Sequence, residues 1–141
     1  MIDGADDPQT SWADRWLGRA FPLVAWLFVA CIVIQFFLVG LRAFEVEPYD
    51  HLHGDFAYLY GWLTPILVLL AASPAGSRRA LRLAVALLAL FAVQTFLPLI
   101  AETVPLVGAV HAANALVVAW LALQLARESS TSPGRAGTPL R

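Results

Sequence analysis

The chain is predicted to be all-α, an integral membrane four-helix bundle made of two related helix hairpins. Three observations predict it. Of 141 residues, 60% are hydrophobic and only 13% are charged, a balance that marks a membrane protein. The charges fall almost wholly outside four apolar stretches, each about the twenty residues that a bilayer-spanning helix needs. A glutamine precedes a histidine at nearly the same distance twice, Gln35 before His53 by 18 residues and Gln94 before His111 by 17. A net charge of -1 gives no reason to expect a nucleic-acid partner, so the expected partner is the lipid bilayer. All nine basic residues are Arg, and Cys31 is the single cysteine, which rules out an intramolecular disulfide.

Residues 1–19 read as a polar N-terminal tail, in which Trp12 and Trp16 mark either an interfacial helix or a solvent-exposed stub. The membrane domain covers 20–127, with spans at about 21–41, 53–72, 80–100 and 104–126. The first span is read as a membrane helix rather than a signal peptide. It is too long for an h-region, it follows some twenty polar residues, and no A-x-A-like cleavage site comes after it. Pro65 is expected to kink the second span and Pro98 the third, a break that membrane helices tolerate when neighbours satisfy the freed carbonyl. Ser73-Pro74-Ala75-Gly76-Ser77 separates the second and third spans, and Arg78, Arg79 and Arg82 follow at once. The other two connections are acidic, with Glu45, Glu47 and Asp50 in one and Glu102 in the other. Arg15 and Arg19 before the first span and Arg127 after the last then place both termini and the middle loop in the cytoplasm, in a multi-pass cell (inner) membrane topology. Residues 128–141, rich in Ser, Thr, Pro and Gly, are expected to be a disordered cytoplasmic tail.

With that orientation Gln35, His53, Gln94 and His111 lie at similar depth near the outer face, one on each helix. Lipid penalises a polar side chain that points outward, so all four are expected to face the interior. Three readings satisfy such a layer. It is an interhelical hydrogen-bond network that fixes the bundle, or a haem iron held between His53 and His111, or a bare zinc or copper site on the same imidazoles. The last lacks a convincing third and fourth ligand at that depth, since His51 and Asp50 sit nearer the loop. His51 and His53 are two apart and cannot share a helix face. His53 is the one expected to point inward, with Ala57 and Gly61 leaving room beside it; Gly108, Ala112, Ala113 and Ala115 do the same around His111.

Gln35-x4-Gly40, Asp50-x2-His53, Gln94 and His111, in that order over about residues 32–120, resemble one four-helix half of the haem A synthase family, whose halves each carry a pair of haem-ligating histidines. Gly54 stands where that family usually has Arg, and Asp50 where it has Glu. His53-x3-Ala57-Tyr58 and His111-x2-Asn114-Ala115 are more closely similar to a group of small, uncharacterised four-helix bacterial membrane proteins with paired histidines. The resemblance implies the bundle and the two ligands; it implies no reaction. Two imidazoles on one haem b iron leave no open coordination position, which favours electron transfer over catalysis. Asp50 and Arg42 are candidate contacts to haem propionates, against an N-cap and a snorkelling arginine respectively. Tyr58, Tyr60 and Trp62 line a haem edge or a quinone, a candidate substrate, or else anchor the helix at the interface. The expected setting is a larger respiratory or redox membrane complex, or a homodimer. A haem-free structural or assembly subunit is the competing expectation, and a haem-modifying enzyme acting as a dimer is the third.

Overall fold

The computed structural model describes residues 12–46, 49 and 51–131. Every regular element among them is helical: α1 (Trp12–Ala43), α2 (Leu52–Gly61), α3 (Leu63–Ala72), α4 (Arg78–Ala101) and α5 (Leu106–Ser130). Taken as one, α2 and α3 span Leu52–Ala72, so four helical stretches are long and apolar enough to cross a bilayer. The protein is therefore a multi-pass membrane protein. Each stretch packs on its chain neighbours, and α1 against α5 closes the ring.

Local chemistry explains the breaks. Pro65 has no N–H and its ring crowds the carbonyl four residues back, that of Gly61. The chain parts there into α2 and α3 around Trp62. The Thr64 hydroxyl donates to the freed Gly61 carbonyl at 2.8 Å, which satisfies a backbone group that lipid would leave unpaired. Between α3 and α4, Ser73 folds the turn by donating from its hydroxyl to Leu70 O at 2.7 Å. A Cβ on Gly76 would overlap the Ala71 carbonyl, so the turn closes only around glycine. Ser77 then caps α4, accepting from Ala80 N at 2.9 Å while its hydroxyl donates to Glu128 Oε1 at 2.8 Å.

α1 is continuous from Trp12 through Pro22, and its 32 residues span about 48 Å at 1.5 Å each. That exceeds the roughly 30 Å of bilayer hydrocarbon by several turns. Helical propagation from a nucleated span costs little, which carries the helix through Arg15 and Arg19. At the other chain end, residues 132–141 of the expected tail lie outside the described residues, and α5 extends three residues past Arg127 to Ser130.

The packing is uneven along the bundle. Phe21, Ala25, Phe28, Cys31 and Ile32 of α1 are buried in helical register against Leu67 and Ala71 of α3, Ala80, Ala84, Leu87 and Phe91 of α4, and Leu121, Leu125 and Ala126 of α5. Small alanines let these helices approach closely, the packing device of membrane bundles. Beyond Ile32 on α1 only Leu38 is buried; beyond Phe91 on α4 and before Val118 on α5 no described residue is. The arginine-rich end is a solid core and the opposite end is open. Phe28, Tyr60 and Phe91 separate the two, with ring centroids 5.3 to 5.8 Å apart in tilted and edge-on contacts.

Candidate functional site

The open end contains a cleft of about 290 Å³ lined by α1, α2, α4 and α5. Its floor is Tyr60 and Phe91, and Gly54, Ala57, Ala112 and Ala115 keep its walls low. A Cβ added to Gly54 meets nothing within 4 Å. On Gly61 it would come within 2.8 Å of Phe91 Cε1, so Gly61 is what allows Phe91 to close against α2. Gly108 and Ala113, expected beside His111, are not part of the lining; Gly108 faces Ala101 instead.

Gln35, His53, Gln94 and His111 all line this cleft. Gln35 donates from its amide nitrogen to His53 O at 2.8 Å and to His53 Nδ1 at 2.9 Å. On the opposite wall, Gln94 Nε2 faces His111 Nε2 at 3.2 Å. The two imidazole rings lie with centroids 6.4 Å apart and planes at 79°. Spacing in the sequence thus translates into two Gln–His pairs facing each other across one cavity.

Asn114 was not among the expected site residues, and it joins this layer. Its amide nitrogen donates to Gln94 Oε1 at 2.7 Å and to Leu90 O at 3.1 Å. An asparagine inside an apolar span is itself a signal, because lipid makes an unpaired amide expensive. Among the described residues, two buried atoms in the layer have no hydrogen-bond partner, Gln35 Oε1 and His111 Nδ1. An unsatisfied buried polar group costs about 1–3 kcal/mol.

The remaining expected residues divide. Arg42 lines the cleft and makes no ion pair among the described residues. Asp50 lies outside the described residues. His51 turns away from the cavity: its side chain is 61% exposed and lies 4.0 Å from Asp55, one turn on. Tyr58 lines the cleft while remaining largely exposed, and Trp62 faces outward. A shallower groove between α2, α3 and α4 shares Ala57, Tyr58, Phe91 and Thr95 with the cleft.

Chemically, the cavity offers two imidazoles, two carboxamides, one guanidinium and the hydroxyls of Tyr58, Tyr60 and Thr95 in otherwise apolar walls. Two imidazoles that approach one metal to about 2 Å from opposite sides would place their ring centres roughly 6 Å apart, close to the 6.4 Å centroid separation seen here. Among the described residues, no three His, Cys, Asp or Glu side chains gather to hold a metal ion. A bare cation would want four protein ligands. Compared with family models, curated proteins and solved structures, the chain matches none.

Proposed function

We propose that the protein is a b-type-cytochrome-like membrane protein that binds one haem between His53 and His111 and serves in electron transfer. The carrying observation is the pair of imidazoles with ring centroids 6.4 Å apart in one cleft, beside Gly54, Ala57, Ala112 and Ala115. The macrocycle brings four nitrogens of its own, so two protein ligands suffice. Two further features suit it. Arg42 supplies a charge in the lining that would pair a propionate carboxylate through a bidentate fork. The apolar floor of Tyr60 and Phe91 keeps water from the deeper bundle.

His53 and His111 would hold the haem, which would supply one-electron exchange when bound. The chain's own part is to hold the ring pair, fix their tautomers and balance propionate charge. The arginine-rich end lies in the cytoplasm by the positive-inside rule, which puts the cleft in the outer leaflet of the cell membrane with a quinone or a larger redox complex as electron partner. The two Gln–His pairs, one per hairpin, support an origin of the bundle in two related halves.

One observation favours the competing reading, a haem-free structural or assembly subunit: each imidazole already has a glutamine partner. A visible spectrum decides. Protein purified from haem-replete cells is expected to show a sharp Soret band and reduced α and β bands, lost in His53→Ala and in His111→Ala. A colourless wild-type protein that stays folded would establish the scaffold.

A further inference from the structure

Gln94 has a fixed orientation. Asn114 Nδ2 donates at 2.7 Å to Gln94 Oε1 and at 3.1 Å to Leu90 O, so the Gln94 carbonyl is engaged and its NH2 group is what faces His111 Nε2 at 3.2 Å. A neutral imidazole carries one N–H and one lone pair. Were the proton on Nε2, two donors would confront each other across 3.2 Å and the buried Nδ1 would still lack a partner. With the proton on Nδ1 only that one group is unsatisfied, and the Nε2 lone pair is held by the amide.

We propose that Asn114 is a positioning residue that sets the tautomer of His111 through Gln94, keeping Nε2 as the lone-pair nitrogen and Nδ1 as the protonated one. This deepens the cytochrome reading and rests on it for its purpose: the amide N–H occupies the lone pair that a metal would take, so the ring is held in its ligating form before any cofactor arrives. His53 is arranged differently. Gln35 donates to Nδ1 of that ring, which leaves Nε2 protonated. The two rings are therefore unequal, and only His111 is preset at Nε2.

The test reads the tautomer directly, in full-length protein labelled with 15N-histidine in detergent micelles without added haem, the His111 signals being assigned by their loss in His111→Ala. Wild type is expected to show the Nδ1–H form. In Asn114→Asp the carboxylate accepts instead of donating, Gln94 turns its oxygen to the ring, and the Nε2–H form is expected to dominate. Asn114→Ala, which removes the grip without adding charge, is expected to give a mixture. In a Gln94→Leu background neither change at Asn114 should alter the tautomer, a readout that simple helix glue would not produce. An Nε2–H wild type, an Asn114→Ala protein identical to wild type, or an Asn114 effect that persists without Gln94 overturns the proposal. Haem titration forms the second arm, with affinity about tenfold weaker in folded Asn114→Asp, the scale of lost outer-shell contacts, and equal affinities overturning the ligand role. A wild type that binds no haem but holds the Nδ1–H form would sink the cytochrome reading and leave the tautomer device standing.

Discussion

Glu45 adopts φ of 53°, the one left-handed non-glycine residue among those described. It ends α1: Val46 N donates to Leu41 O at 3.0 Å and Glu45 N to Arg42 O at 3.1 Å, the paired bonds of a Schellman cap. That cap places its left-handed residue where glycine is usual, since an L side chain there costs about 1–2 kcal/mol. Glycine gives back about 0.5–1 kcal/mol of this through the greater freedom of its unfolded chain. Glu45→Gly is therefore expected to stabilise the protein by up to about 1 kcal/mol, seen as a higher thermal unfolding midpoint in detergent, and Glu45→Val to lower it. An unchanged or reduced midpoint for the glycine variant would show that the Glu45 side chain contributes more than its backbone strain costs. Arg42 sits three residues before this cap and lines the cleft, so the cap also fixes where that guanidinium stands.

At the scale of elements, the α4 N-terminus and the α5 C-terminal turns are joined by one short network. Ser77 caps α4 and donates to Glu128, whose other oxygen lies 3.5 Å from Arg79 Nε. The carboxylate thus comes from α5 to the positive end of the α4 dipole, where negative charge is favoured. Ser77→Ala removes the cap and the link together and should cost about 1 kcal/mol of stability. Glu128→Gln retains an acceptor for Ser77 and should cost less. Equal losses in the two thermal midpoints would mean that the cap contributes little. The four spans were legible in the sequence because a bilayer demands length and apolarity that composition displays directly. Both Gln–His pairs were legible because lipid leaves a buried glutamine few places to go. The extension of α1 to Trp12 was not, since Asp14, Arg15 and Arg19 remove the hydropathy signal while leaving helix propagation intact. Nor was the role of Asn114: one of its partners is a backbone carbonyl on another helix, and residue spacing carries no trace of that bond. Which nitrogen of each ring meets its glutamine depends on rotamers alone.

The whole molecule is packed at one end and open at the other, and the two functional readings predict different consequences of filling the open end. A scaffold gains nothing from a cavity; empty space within a packed bundle forfeits contacts and destabilises it. Filling the cleft should then have opposite consequences for stability and for colour. Ala115→Phe, placed in the cleft wall one turn after His111, adds an aromatic side chain where the structure has room and leaves the buried core between Phe21 and Phe91 untouched. If the cleft houses a macrocycle, this variant should purify folded, with its haem-free unfolding midpoint at or above that of haem-free wild type, while its Soret absorbance per protein falls at least tenfold. His53 and His111 remain present in that variant, so loss of colour would report lost space and not lost ligands. A folded Ala115→Phe protein that retains full absorbance would place the pigment elsewhere, and the facing imidazoles would then be helix glue.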